Sequence, residues 1–359
     1  MDVDTLCGQL IVGGYADAEP SKEFVDAVQR GRRGGAVLFR RNLPTLEAAW
    51  KACTTLAQAA PAECPLWLCV DEEGGRVSRL PAPARRLPAM LALAAHADEA
   101  LIEKAGACTG TQLRALGFNL DLAPVLDVHT REDNPVIGDR AFGRDAATVT
   151  RLGLAFWRGL KSAGIAGCGK HFPGHGDTSV DSHVGLPVIP WDMDRLEQLE
   201  LVPFQAAVDA GIECLMSAHV VCDAIHAGVP GTLSPRIGMS LLRGELGFRG
   251  ALLSDDLEMK AISEQRGIQE AAVMAVLAGC DAILVCSRHD WQEQAHNALV
   301  REARRSTAFR ARCEEAVERT LAVRRAWPCR AEPTFAQAQA IIQSAEVTEV
   351  ADQMARLAG

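Results

Sequence analysis

The 359-residue chain is short of several features that would each settle its class. No uninterrupted apolar run reaches about 18 residues, so no transmembrane helix is expected. Met1–Tyr15 carries Asp2 and Asp4 and no cationic stretch ahead of an apolar core, which argues against a secretory signal and for a cytoplasmic protein. Excess positive charge is missing too. A formal charge of −9 and a pI near 5.5 rule out a global field that would draw nucleic acid or a membrane surface. The twelve cysteines form no C-x-x-C pair and are scattered, several inside apolar runs such as Leu66–Val70 and Ile283–Cys286. They read as free buried thiols of a reducing compartment rather than a disulfide framework. No Gly/Ser/Pro-rich linker divides the chain. A length that could hold two domains is therefore assigned to one.

What is present is regular. A hydrophobic fraction of 48% and a charged fraction of 23% are globular values, which excludes long-range disorder. Short apolar runs alternate with helical stretches: Leu10–Gly14, Gly35–Phe39, Leu66–Asp71, Leu120–Asp127, Gly167–His171, Cys214–His219, Ala251–Asp255 and Ala282–Cys286. They lack polar alternation, as parallel strands covered on both faces do. Between them Ile102, Ala105, Thr109, Leu113 and Leu116 share one helix face, with Gly117 placed to end that helix. Asp145 can cap a helix bearing Val149, Leu152, Phe156 and Leu160, and Ile268–Ala278 ends at Gly279. The basic stretch Arg301–Arg312 reads as a solvated helix face. Eight strand–helix units with no G-x-G-x-x-G after the first strand predict a single α/β domain, a (β/α)8 barrel of the TIM type over residues 1–330. Residues 331–359 are expected to form a helical tail packed on it.

In such a barrel the site is built where strands end. The third strand runs into Asp71-Glu72-Glu73-Gly74-Gly75-Arg76, with Arg79 beyond; the fourth ends at Asp127 and leads to Gly138-Asp139-Arg140. The fifth enters Lys170-His171-Phe172-Pro173-Gly174-His175-Gly176-Asp177, followed by Asp181-Ser182-His183, and the seventh ends at Ser254-Asp255-Asp256. Charge at the ends of apolar strands is costly unless paired or functional. Asp255 follows Ala251-Leu252-Leu253 directly, so a rigid strand aims its carboxylate at the mouth, as a nucleophile requires. Its neighbour would point the other way and be structural, capping a helix or pairing with an arginine. Asp181 and His183, two residues apart, share a side in extended chain, so the acid can orient the imidazole and raise its proton affinity. A plain loop hydrogen bond accounts for the pair equally well. His171, His175, Asp177, Asp181 and His183 also have the types and spacing a zinc site could use, so a metal-dependent hydrolase stays open at this point.

The long run Lys170–Thr178, then Asp181-Ser182-His183, then Leu253-Ser254-Asp255-Asp256-Leu257, resembles glycoside hydrolase family 3, specifically its bacterial β-N-acetylglucosaminidase branch of peptidoglycan recycling. Asp71–Val77 and Gly138-Asp139-Arg140 fit the same branch. The resemblance implies no metal or other cofactor and a retaining mechanism through a covalent glycosyl-enzyme. It implies Asp255 as nucleophile, and His183 with its partner Asp181 as an acid/base dyad on a mobile loop. It further implies Asp71, Arg79, Arg140, Lys170 and His171 as the N-acetylglucosamine subsite, and a monomeric enzyme acting on a small muropeptide rather than on a nucleic acid or membrane. Phosphate in place of water as acceptor is an alternative within the family. Glu72 stands where this family often has Gln, which is expected to add an acid beside Asp71. An aromatic content of 5% leaves little for long stacking platforms and favours a small exo-type pocket.

Overall fold

The computed structural model describes residues 1–182 and 185–358. Among the described residues ten strands run in chain order: β1 (Ile11–Gly13), β2 (Gly35–Leu38), β3 (Trp67–Val70), β4 (Leu120–Asp121), β5 (Ala166–Phe172), β6 (Val188–Ile189), β7 (Cys214–Ser217), β8 (Val221–Cys222), β9 (Ala251–Asp256) and β10 (Ala282–Val285). Eight of them close into a barrel in the order β1-β10-β9-β7-β5-β4-β3-β2. Neighbours are parallel, as in Gly35↔Trp67 and Cys214↔Ala251. All eight apolar runs are barrel strands, so the fold is the expected (β/α)8 barrel.

Both faces of each strand are apolar because each faces a different core. Val12, Val37, Cys69, Cys168, Met216, Leu253 and Leu284 fill the barrel interior. Residues one position away, such as Ala36, Leu68 and Val70, pack outward under the helices. Side chains alternate with a period of two, so an all-apolar strand serves both layers. The thiols serve as small interior hydrophobes: all twelve are free and all but Cys329 are buried.

The fourth strand is shorter than its apolar run predicts. Regular pairing stops at Asp121, although Ala123 and Pro124 still accept from Cys168 and Lys170 through their carbonyls (2.8 and 3.1 Å). Pro124 has no N–H to return to the ladder, and beyond it contact with β5 is an isolated bridge of Val125 with Lys170, Leu126 N donating to the Lys170 carbonyl (2.6 Å). The two-residue strands β6 and β8 form a separate parallel pair that no sequence pattern marks.

The helices Glu99–Leu116 and Ala146–Ser162 start at Asp98 and Asp145, whose side chains accept from Leu101 N and Thr148 N (2.8 Å each). Gly117 ends the first in the left-handed conformation (φ 101°). The pair packs backbone to backbone, since a Cβ on Gly106 would lie 2.1 Å from the Phe156 carbonyl oxygen. The helices Phe335–Ile342 and Ala345–Leu357 bury Ala338, Ile342 and Met354 and rest on the helix Glu99–Leu116. No described helix is long and apolar enough to cross a membrane.

The segment Arg301–Arg312 differs from the solvated face expected of it. One helix ends at Arg305, and Ser306 caps the next by accepting from Phe309 N (3.1 Å). Arg312 then turns inward to Asp281 (2.7 Å) and to the carbonyls of Gly279 and Cys280. Asp281 is fully buried just before β10 and also takes Arg243, Arg319 (3.4 Å) and the Leu252 N–H (2.9 Å). A buried carboxylate requires such partners, and this one draws an arginine out of the surface pattern. Asp281→Ala would leave Arg243 without a carboxylate partner and Arg312 and Arg319 with Glu315 alone. We expect a loss of about 3–5 kcal/mol in urea denaturation; an unchanged midpoint would show that Glu315 and the backbone carbonyls satisfy these arginines without Asp281.

Candidate active site

The two-residue alternation that fills the barrel also builds its mouth. One step beyond the interior residues Val37, Cys69, Cys168 and Leu253, on the same side of each strand, stand Phe39, Asp71, Lys170 and Asp255. All four line a cavity of about 260 Å³, together with Glu73, Arg79, Arg140, His171, Asp181 and Ser182. The volume lies just below the roughly 300–1,000 Å³ typical of ligand pockets. It suits one ring rather than a chain.

Charge alternates across the cavity floor. Lys170 is buried, with its Nζ 2.7 Å from Asp71 Oδ1 and 2.6 Å from Glu73 Oε1. Arg140 holds Glu73 with two parallel bonds of 2.8 Å each. Arg79 lies 3.5 Å from the other oxygen of Asp71. Burial alone would raise the Glu73 carboxyl, yet Arg140 and Lys170 outweigh it and hold that carboxyl well below its usual range. Burial likewise works against the Lys170 ammonium, and Asp71 and Glu73 more than reverse it. Glu73 and Lys170 thus stay ionised, and the array sets fixed donors and acceptors at the cavity floor.

Glu73 is the residue that sequence reasoning missed. Its signal was available, because Asp71 and Glu73 are two apart and so share a side, whereas Glu72 takes the other. Glu72 accordingly does not act on Asp71 as expected. It is buried away from it, accepting from Arg79 N (2.7 Å), Leu80 N (3.0 Å) and the Ser78 hydroxyl, so that it folds the loop that delivers Arg79.

Asp127, also outside the expected set, organises the histidine-rich turn. Its carboxylate meets His171 Nδ1 (2.7 Å) and accepts from His175 N (2.7 Å). His175 has Nδ1 against Thr178 Oγ1 (2.7 Å) and Nε2 against Ser182 Oγ (3.1 Å). Asp177 binds Arg195 (2.7 Å) and the Trp191 indole N–H (2.5 Å). Two members of the proposed zinc set are thus committed to protein partners, and no three metal-ligating side chains converge among the described residues. Asp181 lines the cavity; His183 lies outside the described residues.

Both acids at the end of β9 line the cavity, so Asp256 does not turn wholly away as strand alternation predicts; the two carboxylates differ in their partners. Asp255 accepts from the Asp256 N–H (2.8 Å). The Asp256 carboxylate accepts from Glu258 N (3.1 Å) and from Cys286 N (3.3 Å) beyond the next barrel strand. His219 Nε2 lies 2.9 Å from the Asp256 carbonyl oxygen and braces the strand end from β7. Burial, with Glu258 nearby, raises the Asp256 carboxyl to about 7. Its proton would leave the unfolded chain near 3.8 but the native state only near 7, so stability falls as pH rises through that interval. Asp256→Asn keeps an acceptor for both N–H groups and removes the charge. Its stability relative to wild type in urea should rise from about pH 5 to about pH 8; a constant difference would refute the raised value.

A family model described as the glycosyl hydrolase family 3 N-terminal domain matches residues 3–323. A beta-hexosaminidase of Stenotrophomonas maltophilia is 37% identical over 294 residues, 80% of this chain and 86% of that protein. One from Neisseria gonorrhoeae is 39% identical over 274 residues, 74% of each. Among solved structures, a family 3 beta-N-acetylglucosaminidase from Paenibacillus sp. FPU-7 superposes with a TM-score of 0.92 at 37% identity, covering 100% of this chain and 69% of that one. NagZ from Neisseria gonorrhoeae, in complex with N-trifluoroacetyl-D-glucosamine, superposes at 0.80 with 30% identity and covers 98% of both chains.

Proposed function

The chain belongs to glycosyl hydrolase family 3 and is a glycoside hydrolase of the β-N-acetylhexosaminidase type; from that premise we propose that it releases terminal N-acetylglucosamine from muropeptides by a retaining mechanism. The observation that carries this reading is the Arg79–Asp71–Lys170–Glu73–Arg140 array beside Asp255 in a cavity sized for one sugar. Asp71, Lys170, Arg140, Arg79 and His171 bind the ring through its hydroxyl and acetamido groups. Asp255, fixed by β9, attacks the anomeric carbon. His183, stabilised as imidazolium by Asp181, protonates the departing oxygen and then takes a proton from the water that releases the sugar. An imidazole in that role avoids setting a second anion beside the nucleophile.

Water is the acceptor in this reading. Lys170, Arg140 and Arg79 share the cavity with Asp71, Glu73 and Asp255, three cations against three carboxylates, so a phosphate dianion would enter with no countercharge to spare. A small anhydro-disaccharide or its peptide derivative, met in the cytoplasm by a monomeric enzyme during cell-wall recycling, is the substrate this pocket favours.

A chromogenic N-acetylglucosaminide should be hydrolysed with net retention, and added phosphate should not accelerate turnover. A 5-fluoro-N-acetylglucosaminyl fluoride should label the peptide containing Asp255, and Asp255→Ala should lose at least about 10³-fold in kcat. Label on another peptide would overturn the nucleophile assignment. His183→Ala should cost about 10²–10⁴-fold on a substrate with a poor leaving group and far less on a dinitrophenyl glycoside. Equal losses on both would remove His183 from the acid role.

A further inference from the structure

The chain after β5 carries Asp181 back across the cavity on a segment with little regular structure, so something other than a ladder must fix it. Ser182 is the residue built in most firmly. It is 2% exposed, while Val180 two positions earlier is 40% exposed. Its hydroxyl oxygen lies 3.1 Å from His175 Nε2, and its carbonyl accepts from Ala261 N (3.3 Å). Ala261 belongs to the short helix Lys260–Ser263, which begins four residues after Asp256 ends β9. A single residue therefore ties the Asp181 segment both to the turn after β5 and to the chain that follows the Asp255 strand.

The proton inventory shows which partner gives. The Thr178 hydroxyl donates to the His175 carbonyl (3.1 Å), so its oxygen is left to accept from His175 Nδ1–H (2.7 Å). The Nε2 atom then carries no proton and accepts from the Ser182 hydroxyl. Burial depresses His175 to about 4, which keeps the imidazole neutral and the acceptor in place at neutral pH. His175 is itself immobilised: Asp127 accepts from its N–H (2.7 Å) and Asn134 donates to its carbonyl (2.9 Å). Every bond in the path is buried, where a hydrogen bond is strong and a lost partner costly.

We propose that Ser182 is a positioning residue for the reaction, its hydroxyl bond to His175 latching the backbone that carries Asp181 and leads into His183. The inference rests on the acid/base reading given above. Ser182 touches none of the reacting atoms in this role; it sets where the dyad stands. Loss of the latch lets the acid drift, and a displacement on the order of 1 Å can cost about 10²-fold. The deficit falls only on steps that need proton transfer.

The test compares a phenyl-type N-acetylglucosaminide, which requires acid assistance, with a dinitrophenyl one, which does not. Ser182→Ala should lower kcat/KM about 10–100-fold on the first substrate and leave bond cleavage of the second within about twofold. Ser182→Thr, which keeps the hydroxyl, should recover most of the loss. His175→Leu should show the same leaving-group pattern, and its combination with Ser182→Ala should add nothing further. Equal losses on both substrates, or no loss at all, would overturn the latch while a leaving-group-dependent His183→Ala kept the acid/base reading intact. A His183→Ala variant insensitive to the leaving group would overturn the acid/base reading and the latch together.

Discussion

A buried ammonium must be neutralised, and the way Lys170 is neutralised organises the whole mouth of the barrel. Its Nζ sits between a carboxylate at the end of β3 and a second one two residues further on. That second acid is held in turn by Arg140 from the loop after β4. The bonds run across three adjacent strand ends, so none can be moved alone. In a protein interior an unmatched charge would cost several kcal/mol, whereas the paired array stays ionised without reorganising when a ligand arrives. Rigidity of the cavity floor is a by-product of solving the burial problem.

The same reasoning separates what the sequence displays from what it conceals. The eight strands were legible because parallel strands covered on both sides are plain apolar runs, and helix boundaries were legible where Asp145 and Gly117 stand. Asp71, Lys170 and Asp255 were legible as charges abutting such runs. Partnership was not. Glu72 and Glu73 are chemically the same in a string of letters, and only the alternation of β3 carried into its loop makes one a floor residue and the other a loop brace. Arg312 shows the converse error: an arginine among arginines reads as solvated, although a buried aspartate 31 residues earlier claims it.

The histidine-rich turn makes the point about function most directly. Its composition fits a metal site as well as a glycosidase loop, and spacing alone does not choose between them. Hydrogen-bond accounting narrows the choice by removing two of the candidate ligands: His175 uses Nδ1 and Nε2 on Thr178 and Ser182, and Asp177 is taken by Arg195. A residue type states which bonds are available; the fold states which are already made.

The cysteines carry a consequence of another kind. Eleven of the twelve are enclosed and out of reach in the native state, and burial lifts thiols such as Cys53, Cys69 and Cys214 well above their ordinary range, which keeps those three un-ionised. Unfolding releases all of them at once into a chain that can pair them in many wrong ways. In air the folded form is thus guarded by a one-way door: a molecule that opens fully and oxidises has no simple route back. Its working lifetime outside a reducing solution is set by how often the barrel opens rather than by how stable it is at equilibrium.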